Sequence, residues 1–169
     1  MKTRGIIFSG PMVRAILDGK KRQTRRTDAG ASDCPYGVAG DRLWVRETFA
    51  PVETGPGQVA VAYRETCPDG VFTYVGPDGA PADKRVSRWK SPLFLPRAWS
   101  RLLLEVTAAR LERLQDISES DAILEGCSGK SGDARGEYRE VWNALNAKRH
   151  PWAKNPWVWV VEFVPAQAW

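Results

Sequence analysis

Residues 4–26 read RGIIFSGPMVRAILDGKKRQTRR, and three kinds of structure follow from that one run. Arg4 to Phe8 predicts a short buried strand. Pro11 suits the first turn of a helix, and Met12, Val13, Ile16 and Leu17 recur at helical spacing until Asp18-Gly19 closes it. Beyond Gly19 the polarity predicts a loop that continues through Gly30 and Ser32 to Asp33. Within it, Gly19 to Arg26 carries five positive charges in eight residues, with no acid before Asp28. This basic loop is the expected functional centre.

Outward from there, Pro35 and Gly37 lead into Gly40-Asp41, a turn before a strand from Leu43 to Phe49. The imperfect alternation of that strand implies that both its faces are covered. The region 51–96 is rich in Gly and Pro and reads as insertion-prone, with a strand from Gln58 to Arg64 and a hairpin signal at Pro77-Asp78-Gly79. Leu102, Leu104 and Val106 alternate within a long strand from Arg101 to Leu114, which is expected to bend near Ala108 to Arg110.

Ser118 and Asp121 have the spacing of an N-cap and its third helical residue, starting a short helix with Glu125 last and Gly126 as terminator. Gly126 to Gly136 reads as a flexible polar link. Glu137 to Leu145 then places Tyr138, Val141, Trp142 and Leu145 on one helical face. Trp157 to Phe163, apolar throughout and flanked by Pro156 and Pro165, predicts a central strand. Five or six strands with short helices between them define an α+β class, a small mixed β-barrel flanked by short helices rather than a doubly wound sheet. One domain spanning residues 1–169 is expected, without repeats.

The 169 residues suffice for one hydrophobic core. With 25 basic and 20 acidic residues the formal charge is +5, which favours an anionic partner. Cys34, Cys67 and Cys127 are odd in number and unpaired in spacing, so a reducing, cytoplasmic location is expected, with no disulfide framework. Ile6 to Phe8 is far too short for a membrane span or a signal core.

Crowding of like charges lowers the pKa of a lysine, and a neutral lysine near a hydroxyl makes a base and nucleophile pair; Lys21 and Thr24 have that spacing. The bland alternative is a solvated loop or a phosphate-binding face. Among eight tryptophans, Trp142, Trp157 and Trp159 read as core, whereas Trp44, Trp89, Trp99 and Trp152 are candidates for stacking on a base, Trp89 foremost because Arg88 and Lys90 flank it. Arg85, Arg88, Lys90, Arg97 and Arg101 form a second basic stretch, read as a solvated face or a phosphate contact. Gly129-Lys130-Ser131 lacks the earlier glycine and preceding strand of a phosphate-binding loop. With His150 the single histidine, no metal site is expected.

Gly19, Lys21, Thr24 and Arg26 match the GxKxxTxR loop of the ASCH domain, a relative of the PUA fold, and the chain resembles that family. The resemblance continues through Gly40-Asp41, Leu104-Glu105-Val106-Thr107, Asp121 to Gly126 and the closing Trp157 to Phe163 strand. It skips most of 51–96, a longer middle region of the kind found in phage-like members. It implies amide hydrolysis at an N4-acylated cytidine, nucleoside or modified cytosine base, with Thr24 as nucleophile, Lys21 as base and Glu125 as acid and base; Glu119 and Glu47 are the other candidate carboxylates. Arg22, Arg26, Trp89, Trp44 and Glu47 are the expected substrate-binding residues, and no cofactor is implied. The competing expectations are a non-catalytic PUA-like module that binds RNA and a ribonuclease acting on single strands.

Overall fold

Strand β9 (Trp157–Pro165) explains why an apolar run this long is stable in the middle of a sheet. Val161 and Phe163 enter one buried cluster with Ile6, Phe8, Val13, Leu43 and Leu104. Val158 and Val160, on the opposite face of the strand, enter a second with Leu114, Ile117, Ala122, Tyr138 and Trp142. A strand covered on both faces has no polar alternation to show. The structure, a computed structural model, describes residues 1–28, 30, 32–76 and 78–166.

Five strands form the main sheet in the order β1 (Thr3–Ile7), β3 (Arg42–Arg46), β8 (Leu103–Arg113), β9 and β2 (Gln23–Thr27). Only β1 and β3 run parallel; the other neighbours are antiparallel. The expected bend in β8 is a register shift between Val106 and Ala108, where an irregular pairing lets a strand turn. Among the described residues, the edge strands β1 and β2 share no ladder. Instead the Arg26 guanidinium donates to the Ile7 carbonyl at 2.6 Å, so a side chain links the two edges of the curved sheet. The α+β class and the short flanking helices are as expected, and among the described residues no ladder closes the five-stranded sheet into a barrel.

Helix α1 (Gly10–Leu17) buries Val13 and Ile16. Gly19 at φ +70° then reverses the chain, and the amides of Lys20 and Lys21 return to the Ala15 carbonyl at 2.8 and 2.9 Å. The expected loop is therefore shorter than its composition suggests. Gln23 to Thr27 is strand β2, held by β9 through the pairs Gln23–Glu162, Thr24–Val161 and Arg26–Trp159. The expected strand from Leu43 to Phe49 is interrupted at Glu47 and Thr48, and Phe49 begins β4 (Phe49–Gly55). Asp41, in the turn before β3, accepts from the Lys2 amide at 2.6 Å and the Arg4 guanidinium at 2.8 Å, which together hold its carboxyl down to about 2.

The region 51–96 holds two hairpins, β4 with β5 (Gln58–Tyr63) and β6 (Val71–Val75) with β7 (Pro81–Arg85). Asp78 and Gly79 sit in the second turn as the hairpin signal requires; Pro77 lies outside the described residues. A small cluster of Val52, Ala62 and Cys67, flanked by Phe72, Val86 and Trp89, holds this region together.

Helix α2 (Glu119–Leu124) is capped by the Ser118 hydroxyl, which accepts from the Asp121 amide at 3.0 Å. Gly126 at φ +105° ends it. The link to α3 (Ala134–Asn146) is more ordered than its polarity predicts: the Glu137 carboxylate accepts from the Ser128 amide and from the Ser128 and Ser131 hydroxyls at 2.8–3.0 Å. No helix among the described residues is long and apolar enough to cross a membrane.

Candidate active site

Lys21 is only 1% exposed, and a buried ammonium must find compensating oxygens. The end of α2 supplies them. Lys21 Nζ donates to the Glu125 carbonyl at 2.8 Å and to Glu125 Oε2 at 2.7 Å. The Arg22 amide donates to the Leu124 carbonyl at 2.8 Å, which fixes the helix end against the segment entering β2. Gly126 permits this approach: a Cβ there would lie 3.2 Å from the Ala15 Cβ and 3.6 Å from the Lys21 Cβ, in a backbone conformation that side chains resist.

The other carboxylate oxygen, Glu125 Oε1, accepts from Arg25 at 3.1 Å. Arg25 also donates to Gln23 Oε1 at 2.5 Å, Glu112 Oε1 at 2.6 Å and Asp121 Oδ2 at 3.0 Å. Arg110 continues the network to Glu112 at 3.2 Å, to Asp121 at 3.5 Å and to Glu162. Strand alternation explains the grouping: Gln23 and Arg25 pair with Glu162 and Val160 of β9, on the face that α2 and α3 cover.

Burial lowers the Lys21 pKa, Glu125 opposes that shift, and Arg26 adds to it. The expected cause, crowding by Lys20, Arg22 and Arg25, is replaced by loss of solvent. Lys20 is exposed and bridges to Asp18 at 3.2 Å, Arg22 is exposed, and Arg25 is turned to the carboxylates. Burial and then the Glu125 charge raise the Tyr138 phenol well above its ordinary value, so it is neutral.

Glu125 lines two adjoining cavities. One, of about 220 Å³, is shared with Thr24, Arg25, Arg26, Tyr36 and Asn146. The other, of about 380 Å³, lies between α1 and α3. Met12, Tyr138, Val141 and Leu145 line both. Thr24 is buried on β2 opposite Val161, and among the described residues its hydroxyl has no hydrogen-bond partner and no bond to Lys21. Lys21 itself lines neither cavity and stands behind Glu125. The Arg26 Nε, beside the smaller cavity and 5.2 Å above the Phe8 ring at the guanidinium carbon, is enclosed without a partner.

The structure thus brings Lys21, Thr24, Glu125 and Arg26 to one place. Arg22 points to solvent, its Nε 3.4 Å from the Gly19 carbonyl. Glu47 makes a two-pronged pair with Arg101 at 2.8 and 2.9 Å and borders a different cavity with Gly10 and Arg64. Glu119 accepts from the Ala134 amide at 2.7 Å. Trp44 lies under Arg46, and Trp89 under Arg64 in the hairpin cluster; neither borders the cavities at Glu125. Arg25, Glu112, Asp121, Arg110 and Glu162 were not singled out from the sequence as site residues, and the partners become visible only once β2, β8 and α2 are placed. Among the described residues no group of three His, Cys, Asp or Glu is arranged to hold a metal ion.

No protein-family model matches this chain. No curated protein matches it either. Two solved structures are similar to it: an ASCH domain from Lactobacillus crispatus, at 11% identity and TM-score 0.49 over 97% of this chain and 79% of that one; and a protein from Enterococcus faecalis, at 10% identity and TM-score 0.48 over 100% of this chain and 82% of that one.

Proposed function

We propose that this protein is an amidohydrolase that removes the acyl group from N4-acylated cytidine or a related cytosine derivative. The observation that carries the reading is the buried Lys21–Glu125 pair, 2.7 Å apart, whose carboxylate borders a cavity that Thr24 also lines. The substrate class rests on the resemblance of Gly19, Lys21, Thr24 and Arg26 to the ASCH loop.

Attack by the Thr24 oxygen on the acyl carbon forms a C–O bond and releases a proton. The Lys21–Glu125 pair, in the form with neutral lysine and ionised carboxylate, takes up that proton. As the C–N bond breaks, Glu125 passes the proton to the departing exocyclic amine. Water then loses a proton to the pair and attacks the Thr24 ester, and the proton returns to the threonine oxygen, so that one amide and one water give one acid and one amine. Arg26, which lines the same cavity as Thr24 and Glu125, supplies the positive charge beside the developing oxyanion. Arg25 is a positioning residue: it holds the second oxygen of Glu125.

The test is ultraviolet-monitored hydrolysis of N4-acylcytidines by the wild type and by Thr24→Ala, Glu125→Gln and Lys21→Met. Activity falling by about 100-fold or more in each is the expected result. Equal turnover by wild type and Thr24→Ala would remove threonine from the chemistry.

A second reading has its own support. Arg88 and Lys90 are exposed, and with Trp89, Ser91 and the 71% exposed Phe94 they border an open cavity of about 530 Å³. Cations interleaved with aromatic rings suit a single-stranded RNA. Binding of an oligonucleotide that weakens steeply with salt and is lost in Trp89→Ala would favour this reading; affinity indifferent to salt would count against it.

A further inference from the structure

The two cavities that meet at Glu125 differ in chemistry. The smaller presents Thr24, Arg26, Tyr36 and Asn146. The larger is walled mainly by Pro11, Met12, Ala15, Val141, Ala144 and Leu145. Val141 and Leu145 are 41% and 60% exposed although they share the helical face that sends Tyr138 and Trp142 into the core. Their exposed surface is the rim of this cavity.

The polar groups on the larger cavity's walls are already committed or neutral. The Glu137 carboxylate is held by Ser128 and Ser131. Burial, with Glu137 and Glu125 adding to it, pushes the Cys127 thiol up to about 11, so it stays un-ionised. Ala15 and Ala144 leave the space that larger side chains would fill. At about 380 Å³ the cavity already falls in the range of pockets that enclose whole small molecules, about 300–1,000 Å³. The methyl of an acetyl group would leave most of it empty.

We propose that the larger cavity is an acyl subsite, and that the substrates carry a medium-chain or aromatic hydrocarbon acyl group on N4 rather than acetyl. This rests on the hydrolase reading above. A scissile amide at Glu125 and Thr24 places the base and its hydrogen-bonding edge in the polar cavity beside Arg26 and Asn146. The apolar tail then runs between α1 and α3 against Met12, Val141 and Leu145. Hydrocarbon moves from water to a wall that has no better partner, which is where chain length raises affinity.

The experiment is a series of kcat/KM measurements on N4-acetyl-, butanoyl-, hexanoyl- and benzoylcytidine. Each added methylene is expected to raise kcat/KM about fourfold until the cavity is full. Ala144→Phe, at an exposed position of α3, is expected to cut the hexanoyl-to-acetyl ratio at least tenfold. Acetyl turnover with no gain along the series, or a ratio unmoved by Ala144→Phe, overturns the acyl subsite alone. Failure to hydrolyse any member of the series overturns the hydrolase reading and the subsite with it.

Discussion

Two basic segments of this chain look alike in composition and end in opposite surroundings. In 19–26, Lys21 and Arg25 lose essentially all contact with water and meet Glu125, Glu112 and Asp121. In 85–101, Arg85, Arg88 and Lys90 remain exposed, while Arg101 pairs with Glu47. What separates them is the covering of the backbone they lie on. β2 lies in the main sheet beside β9, where α2 and α3 close over Gln23 and Arg25, whereas of the second segment Arg85 ends β7 in a separate two-stranded sheet and Lys90 is bridged only to Phe49. Charge density along a sequence therefore says nothing about whether a cation is solvated; the elements that cover it do.

The sharpest way to break the contrast is to remove the shared anion. Glu125→Ala leaves Lys21 without a carboxylate, takes one of three from Arg25, and is expected to cost about 4 kcal/mol of stability, read as a urea midpoint shift. The double variant Lys21→Met, Glu125→Leu should recover most of that loss, because no lone buried charge is left. A loss below about 1 kcal/mol for Glu125→Ala would mean that water reaches the pair.

The thiol beside the first segment reports its surroundings at lower cost to the fold. With its pKa pushed up to about 11 against an ordinary 9, Cys127 is almost wholly protonated at pH 9, where an ordinary thiol is half ionised. Alkylation of Cys127 at pH 9, followed by mass spectrometry, should run about fifty-fold slower than that of a free cysteine. As pH rises through 11 the gap should close; reactivity near that of free cysteine at pH 9 would contradict burial. The smallest effect belongs to the second segment: Arg88→Ala and Lys90→Ala should each change stability by less than about 0.5 kcal/mol. A larger loss would show that these side chains are held after all.

The sequence carried the opening strand and helix, the bend in β8, the Ser118 cap and the Gly126 terminator, because each depends on neighbours a few residues away. It carried β9 through its unbroken apolar run. It did not carry β2. Gln23-Thr24-Arg25-Arg26-Thr27 has no apolar alternation, and its strand character comes from β9 and from carboxylates at 112, 121 and 125. For the site, Lys21 and Glu125 were within reach through the motif, but the spacing of Lys21 and Thr24 suggested a direct pair. The extended backbone of β2 turns Thr24 toward Val161 and away from Gln23 and Arg25, and Lys21 meets Glu125 instead.

The ladder between β2 and β9 also sets an order of events at birth. Gln23 and Glu162, neighbours in that ladder, are 139 residues apart in the chain. At ribosomal rates β2 waits on the order of ten seconds for its partner. During that interval it is a polar segment at ease in water, whereas the apolar β9 emerges when both strands it will lie between already exist. The nascent protein thus holds its Lys21 in solvent at least until the end of α2, 104 residues further on, has been made, and the strand that follows Lys21 gains its ladder only with β9.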